Sequence, residues 1–297
     1  MIEDFLLGDN PFIGVSHLAQ EKAREEAKVS TVKNKIKVLK AALNSGATGY
    51  TFSTHDSNLE LLAAIKKEEN LHIEDMNYYI LVPYAQSYIR QANKAGAPAL
   101  IQKIIAEIAK HPSRLIHALK GVMMIDPKIF ASLFIEMNLS PYMKILPPKK
   151  VKAVLLHEVL TELIVSFDLI DLLKHIDHHV HNRLNLGFGI ETRNIGQVYN
   201  WLRKNNYFPE YIMTPLNPLG YQMAPGKTQA EKAVKEAGGR SKIIAINILA
   251  SGAVSFEDAL KYMKNVKNSL YAVAVGTSKP WRAKENFAKI TSALRQC

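Results

Sequence analysis

The hydrophobic pattern of this chain is a repeat of short apolar runs, each ending in small or polar residues and most followed by a helix-like stretch. Eight such runs end in the segments LLGDN (6–10), TFSTHD (51–56), YILVPY (79–84), AVLLHE (153–158), GFGIET (187–192), IMTPLN (212–217), AINILASG (245–252) and AVAVGTS (272–278). Short apolar runs between helices are typical of parallel strands that are buried on both faces. The rhythm therefore predicts an α/β fold, a single (β/α)8 TIM barrel over residues 1–297.

Polar stretches and helix-capping patterns between the apolar runs predict where the helices lie. A long polar helix is expected over roughly 19–45, before the second run. Ser57 followed by Glu60 has the spacing of a capping box, which predicts the start of the second helix. Ser255 with Asp258 predicts the start of the helix after strand 7 in the same way.

The spacing of the runs breaks once, between strands 3 and 4. Residues 87–150 contain apolar positions at helical spacing, with prolines between the groups, and predict a helical insertion within the barrel domain. Because this insertion follows strand 3, it should begin at the end of the barrel where active sites lie. We expect either a lid over that end or a dimer surface, so a homo-oligomer is one of the alternatives.

Composition narrows the class of protein. Hydrophobic residues make up 47% of the chain, which excludes a disordered composition. The formal net charge of +11 is spread along predicted helices, and the compact basic run 147–152 lacks interleaved aromatic residues, so we expect no nucleic-acid partner. No apolar stretch has membrane-spanning length without charges, the N-terminus lacks a basic secretory flank, and Cys297 is the sole cysteine. These features predict a cytoplasmic protein with no membrane partner.

Small residues end strands 7 and 8, where barrels frequently hold a phosphate. Small side chains leave backbone N–H groups approachable, and the start of the following helix favours an anion. We therefore predict a phosphate site at these turns and a small, anionic molecule as the substrate. Its residues are Ser251, Gly252, Gly276 and Ser278.

Four segments of the C-terminal half share the pattern of one known family: LLHE ending at His157 and Glu158, NPLGYQ (217–222), IAINILASG (244–252) and GTSKPWRAKENF (276–287). From His157 onward the chain resembles the aldo/keto reductases. The resemblance implies NADP(H) as cofactor, with Asn217 among its binding residues. It also implies a grip on the adenosine phosphate by Ser278, Lys279, Arg282, Glu285 and Asn286. Two cations beside a helix N-terminus suit a dianionic phosphate.

The N-terminal half departs from that family. The family carries a catalytic Asp after strand 2, a Tyr that gives the proton, and a Lys at the end of strand 3. Here Ser53 stands where the Asp is expected, no Tyr follows it, and strand 3 ends in Pro83-Tyr84. Glu191-Thr192 replaces the Ser-Asn pair that usually holds the nicotinamide amide. Of the four catalytic residues, only His157 is present.

Other polar side chains at strand ends are candidates for the chemistry. The set is His55, Asp56, Tyr84, His157 and Glu191, with Glu158 beside them. Imidazoles and carboxylates from several strands can form an acid–base pair or ligate a divalent cation. Tyr84 is the nearest replacement for the missing proton donor. A structural alternative is that Asp56 caps a helix and Glu158 pairs with a cation.

The run HIDHHVH (175–181) has the i, i+4 histidine spacing of helical zinc ligands. It ends a helix just before strand 5, at the end of the barrel away from the active face, so we expect no metal site there.

Three functions remain open from the sequence. The leading one is an enzyme that binds NADP(H) or another phosphorylated ligand at the strand 7–8 turns, with an atypical active site around His157. The second is a metal-dependent lyase, isomerase or hydrolase acting on a phosphorylated small molecule. The third is a non-catalytic ligand-binding barrel.

Overall fold

Eight parallel strands form a closed barrel, as the sequence pattern predicts. The computed structural model describes residues 2–13, 30–83 and 126–295. Each strand pairs in parallel with its neighbour along the chain, and β8 pairs with β1 to close the ring. The strands are β1 (Asp4–Gly8), β2 (Gly49–Ser53), β3 (Asn77–Val82), β4 (Val151–Leu156), β5 (Gly187–Glu191), β6 (Tyr211–Pro215), β7 (Lys242–Ile246) and β8 (Ala272–Gly276).

Helices surround the barrel. Those described are α1 (Val32–Leu43), α2 (Asp56–Ile65), α3 (Pro127–Met143), α4 (Glu158–Ser166), α5 (Ile170–Asn182), α6 (Ile195–Lys204), α7 (Lys227–Ala237), α8 (Phe256–Val266) and α9 (Pro280–Arg295). Within the described ranges, every helix is too short or too polar to span a bilayer. The helix predicted over 19–45 is described only from residue 30 onward, so its first part lies outside the described residues.

Helix caps confirm one sequence prediction and correct another. Ser255 caps α8 as predicted, because its Oγ accepts a hydrogen bond from the Asp258 N–H at 3.1 Å. The cap of α2 is His55, which precedes the predicted Ser57. The imidazole Nδ1 of His55 accepts from the Ser57 N–H at 3.1 Å, so the helix begins at Asp56. Ser57 instead accepts a hydrogen bond from the Lys35 ammonium through its Oγ.

The predicted insertion lies partly within the described residues. Its last third contains α3, which packs against α5, and the Tyr142 hydroxyl of α3 donates to the backbone oxygen of His55 at 2.9 Å. Residues 87–125 lie outside the described part of the chain. The lid and the dimer surface therefore stay predictions.

Strand side chains alternate between the barrel interior and the layer beneath the helices. The interior cluster is Leu6, Tyr79, Leu81, Ala153, Leu155, Tyr211, Met213, Ile244, Ala272 and Ala274. The intervening side chains, such as Phe5, Phe52 and Phe188, join the larger cluster under the helices. Burying one such aromatic or aliphatic side chain stabilises the fold by about 1.5–3 kcal/mol.

A cluster of hydrogen-bonded polar side chains around Asp4 lies at the N-terminal end of the barrel. The Asp4 carboxylate accepts hydrogen bonds from the Thr48 hydroxyl at 2.6 Å, the Tyr79 hydroxyl at 2.5 Å and the Asn77 amide at 3.0 Å. These partners come from β3 and the turn before β2, so the carboxylate ties three neighbouring segments together. The opposite end, where the strands finish, is the mouth of the barrel.

The strand register assigns interior side chains to levels. Strands of such barrels are staggered by about one residue each, and each level takes side chains from alternate strands. Applied to the observed pairs, this stagger defines three levels at the mouth. The rim level is Ser53, His157, Pro215 and Gly276. The upper level is Gly8, Leu81, Glu191 and Ile246. The lower level is Thr51, Leu155, Met213 and Ala274.

Candidate active site

His157 sits at the rim between β4 and α4. It caps α4: its Nδ1 accepts a hydrogen bond from the Val159 N–H at 3.3 Å, and its own backbone N–H donates to the Val82 oxygen at 2.9 Å. An Nδ1 that accepts from the backbone leaves the proton on Nε2. Burial lowers the pKa of His157 below its ordinary value. The ring is therefore neutral near pH 7 and carries one N–H donor.

Glu191 supplies the upper level with a carboxyl group. Only 8% of the residue is exposed, and its Oε2 accepts a hydrogen bond from the Glu158 N–H at 3.3 Å. Burial raises the pKa of Glu191 to about 7, against the hydrogen bond from Glu158. A carboxyl with this pKa can both give and take a proton at neutral pH.

A second carboxyl, that of Glu158, lies beside Glu191. It accepts a hydrogen bond from the Arg193 Nε. Burial, followed by the charge of Glu191, raises the pKa of Glu158 to about 7 in spite of Arg193. Because the charge of Glu191 raises the pKa of Glu158, ionisation of one carboxyl disfavours ionisation of the other.

The exit of β5 is held by Glu162. Its Oε1 accepts hydrogen bonds from the Thr192 hydroxyl and from the Arg193 N–H, both at 3.1 Å. This clip fixes the backbone that carries Arg193, and so orients the guanidinium towards Glu158. Thr192 is buried and is committed to this clip.

Asp9 is a buried acid that the candidate set from the sequence did not include. Its Oδ2 accepts hydrogen bonds from the Ser53 N–H at 2.9 Å and from the Asn58 amide at 2.7 Å. Burial raises its pKa to about 6. Strand alternation places Gly8 inside the barrel and Asp9 in the layer beneath the helices. The signal in the sequence was the polar end of the first apolar run.

Lys35 is a buried cation close to this acid. It enters from the first turn of α1, and burial lowers its pKa while the charges of Glu60 and Asp9 oppose that shift. A search of strand ends for lysine misses Lys35 because a helix supplies it.

The other candidates around β2 have different positions. His55 caps α2 through Nδ1, and the exposed Asp56 lies in the first helical turn, where its charge favours the helix dipole. The structure therefore brings His157, Glu158 and Glu191 together but leaves Asp56 on the helix surface. Tyr84 lies outside the described residues.

The loop after β7 is held in left-handed backbone conformations. Asn247, Ala250 and Ser251 have φ values of 52°, 46° and 58°. The Ser251 N–H donates to the Asn247 Oδ1 at 2.8 Å, and the Gly252 N–H donates to the Leu249 oxygen at 2.8 Å. Both N–H groups expected to face a phosphate are thus used within the loop. Each non-glycine residue in this region costs about 1–2 kcal/mol.

Asn217 shapes the loop after β6. The residue is fully buried, its amide nitrogen donates to the Tyr221 oxygen, and its Oδ1 accepts from the Tyr221 N–H, both at 2.9 Å. In this structure its amide closes the loop.

The start of α9 carries the predicted phosphate grip. Ser278 and Asn286 are buried, and the Ser278 backbone oxygen accepts from the Asn34 amide at 2.9 Å. Lys279 and Arg282 are exposed, and the Arg282 guanidinium stacks on the Trp281 ring at 5.1 Å. Pro280 begins the helix, and because the N–H groups of a first helical turn have no acceptor within the helix, this end of α9 favours an anion beside the two cations.

Gly276 has a packing reason to be glycine. A Cβ there would lie 2.8 Å from the Cδ of Pro11. Packing against Pro11 is therefore a structural reason for glycine at this position.

Metal ligation gains no support from the described residues, which contain no cluster of three or more His, Cys, Asp or Glu side chains able to hold an ion. In the histidine run, His175 contacts Ser132 at 2.9 Å and His179 pairs with Glu136 at 3.0 Å. Both contacts join α5 to α3.

Comparison with known proteins gives a likeness of fold. No family model matches the sequence, and no curated protein matches it. A Pseudomonas aeruginosa protein assigned to the aldo-keto reductases superposes with a TM-score of 0.57 at 14% identity, covering 99% of this chain and 92% of that one. Glycerol dehydrogenase from Gluconobacter oxydans gives 0.52 at 11% identity, covering 99% and 92%.

The chain has an aldo-keto reductase-like barrel fold. Orotidine 5'-monophosphate decarboxylase from Methanocaldococcus jannaschii, in complex with an inhibitor, also matches, with a TM-score of 0.51 at 12% identity over the full length of both chains. A decarboxylase, a dehydrogenase and a protein assigned to the aldo-keto reductases thus share the barrel architecture of this chain. The fold does not fix the reaction, which depends on the residues of the mouth.

Proposed function

We propose that this protein is an enzyme that binds NADP(H), or another phosphorylated ligand, at the β7–β8 side of the mouth and transfers protons with Glu191 and His157. The observation that carries the proposal is a pair of buried carboxyls, Glu158 and Glu191, with pKa values of about 7 at the end of the barrel, where the charge of Glu158 acts on the imidazole of His157. Perturbed groups of this kind concentrate at catalytic sites.

The start of α9 fits a cofactor phosphate. Ser278, Lys279, Arg282 and Asn286 would hold it, because exposed cations and free helix N–H groups attract a dianion. The N–H groups of Ser251 and Gly252 are engaged within their own loop, so they are not assigned to the phosphate. NADPH, when bound, would supply a hydride to a carbonyl carbon.

Proton delivery would fall to the residues at the top of the barrel. The Nε2–H of His157 would donate to the carbonyl oxygen and stabilise the negative charge that develops there. The carboxyl of Glu191 would give the proton that the family's tyrosine gives elsewhere. Burial would raise the pKa of Glu191 to near neutrality, while the backbone hydrogen bond from Glu158 and the charge of Arg193 oppose the shift.

Cofactor binding is tested by titrating the protein with NADPH and with NADH, following nicotinamide fluorescence. We expect Arg282→Glu to weaken NADPH at least tenfold, because it places a negative charge beside the extra phosphate, and to leave NADH unchanged. Lys284→Ala, an exposed residue of the same helix, is the matched control. Equal NADPH affinity in the wild type and in Arg282→Glu would contradict the cofactor assignment.

A second candidate is proton transfer without redox, as in a lyase or isomerase of a phosphorylated molecule. It is favoured by the two neighbouring carboxyls with pKa values of about 7, which suit abstraction and return of a proton. It predicts solvent deuterium exchange into dihydroxyacetone phosphate without NADPH, observed by proton NMR and lost in Glu191→Gln. Ligand binding with neither reaction would indicate the non-catalytic alternative.

A further inference from the structure

Arg193, two residues after the end of β5, is fixed in place by the loops and the helix around it. Its backbone N–H donates to the Glu162 Oε1 at 3.1 Å, and its backbone oxygen accepts from the Ala224 N–H at 2.8 Å. Its side chain is fixed by the hydrogen bond from Nε to the Glu158 carboxylate. The guanidinium therefore has a set orientation beside the first turn of α4 before any ligand binds.

One edge of this guanidinium is open. Within the described ranges, Glu158 is the carboxylate that Arg193 contacts, and the contact uses Nε, while the two Nη groups have no hydrogen-bond partner there. The side chain of Arg193 is 36% exposed, whereas that of Glu158 is 14% exposed, so a ligand can reach the open edge from the solvent. A guanidinium edge of this kind binds a carboxylate through two parallel N–H···O bonds.

The neighbouring charges select the kind of anion that fits. The charge of Arg193 acts on the titratable groups of the mouth, and Asp9 and Glu162 also act on Glu191; the groups are His157, Glu158, Glu162, Glu191 and Asp9. Because burial raises the pKa of Glu158 and of Glu191 to about 7, the two carboxyls share about one negative charge at pH 7. They can take up a proton when one further negative charge binds beside them. A carboxylate carries one such charge, and a phosphate dianion carries two.

We propose that the open edge of Arg193 binds the carboxylate of the substrate, which makes a small carboxylic acid the substrate class of this site. The proposal rests on the proposed function in one respect, that the bound acid is the molecule on which Glu191 and His157 act. The carboxylate site is separate from the phosphate site, because Arg193 follows β5 whereas α9 follows β8.

The test compares an acid with its uncharged amide. Ligand-observed NMR titration measures the binding of pyruvate and of pyruvamide to the full chain. We expect the wild type to bind pyruvate about tenfold more tightly than pyruvamide, and Arg193→Gln to lose that preference, because the paired hydrogen bonds to the carboxylate are gone. Arg203→Gln changes an exposed arginine of α6 and is the matched control, which should bind pyruvate as the wild type does.

A second variant should change pyruvate affinity in the opposite direction. Glu158→Gln keeps an oxygen that accepts from the Arg193 Nε and removes the charge that competes with the ligand, so pyruvate should bind several-fold more tightly. In the wild type, affinity should fall above about pH 7 by up to about tenfold per pH unit for each proton that binding takes up. Glu158→Gln should show a shallower fall. Unchanged or weaker pyruvate binding in Glu158→Gln would overturn the proposal even if Arg193→Gln does not fold.

Four other results would overturn the proposal: no pyruvate binding by the wild type, equal affinity for pyruvate and pyruvamide, unchanged affinity in folded Arg193→Gln, or an equal loss in Arg203→Gln, which would indicate general attraction of anions to a basic protein.

Inorganic phosphate, titrated in parallel, reports on the start of α9. Loss of phosphate binding in Arg282→Glu with pyruvate binding intact supports two separate sites. A loss of phosphate in Arg193→Gln as large as that of pyruvate would overturn the assignment to a carboxylate. A wild type that binds pyruvate through Arg193 but binds neither phosphate nor NADPH contradicts the proposed function and leaves the carboxylate site standing.

Discussion

At the scale of single residues, burial decides which side chains carry protons at neutral pH. Glu191, Glu158 and Asp9 are ordinary acids in the sequence, and burial raises the pKa of each to about 7, 7 and 6. His157 moves in the other direction, because burial disfavours its charged form. Near pH 7 the carboxyls of Glu191 and Glu158 are therefore about half protonated, and the imidazole of His157 is neutral.

The variant Glu191→Gln tests the raised pKa of Glu191 through the pH dependence of the unfolding free energy. A raised pKa means that the folded state holds the proton more tightly than the unfolded state. The free energy that the protonated Glu191 carboxyl adds to the stability of the fold is therefore fully present below about pH 4.5. It is lost as the pH rises through about 7. We expect the wild type to lose about 2–3 kcal/mol of unfolding free energy between pH 4.5 and 8 from this group.

Urea denaturation at several pH values measures that loss, and the glutamine variant should show a smaller one. Glu257→Gln is the control, since Glu257 is exposed on α8. An identical pH slope in the wild type and in Glu191→Gln would contradict the assignment.

At the scale of elements, helix caps double as active-site positions. His157 ends β4, caps α4 with Nδ1 and leaves its Nε2–H for the mouth. The same ring atom that starts the helix also selects the tautomer, so local structure and chemistry are coupled. His55 caps α2 in the same way at the neighbouring rim.

Two variants of His157 separate its roles. His157→Asn keeps a side-chain oxygen that can accept from the Val159 N–H, whereas His157→Ala removes the cap and should cost about 1 kcal/mol of unfolding free energy. Both remove the Nε2–H donor, so both should lose turnover or deuterium exchange equally. If the asparagine variant unfolds at the same urea concentration as the alanine variant, the capping role is wrong.

At the scale of the whole molecule, the two ends of the barrel differ. The Asp4 cluster occupies the N-terminal end, and the candidate active site lies at the mouth. Asp4 joins Thr48, Asn77 and Tyr79 at the N-terminal end, while Thr51, towards the mouth, has a buried hydroxyl without a hydrogen-bond partner among the described residues. A satisfied network of this kind stabilises the fold.

Asp4→Ala tests this division between the ends. It leaves three donors without their acceptor, and we expect it to lower the unfolding free energy by about 3 kcal/mol in urea denaturation. Binding of NADPH by the folded protein should not change. Asp4→Asn keeps one acceptor oxygen and should lose less. A loss of ligand affinity in Asp4→Ala at full folding would show that the two ends are coupled.

The linear order of residues was enough to predict eight strands, their parallel order and the end of the barrel where polar side chains collect. Periodicity predicts these features because each strand must bury both faces and each helix one. It also predicts that His157 and Glu191 share that end, since both follow apolar runs. The start of α2 shows the limit of periodicity. The sequence predicts a cap at Ser57, whereas in the structure the cap is His55 and the helix begins at Asp56.

Position in space decided the rest. Whether a strand-end residue points into the barrel depends on the register of its neighbours, which places Gly8 inside and Asp9 outside. Segments far away in the chain bury these groups, and they thereby set the pKa values and bring Arg193 to Glu158. The same burial leaves the Thr51 hydroxyl without a partner among the described residues. Desolvation and long-range contacts have no signature in local sequence, so the chemistry of the mouth emerges when the barrel closes.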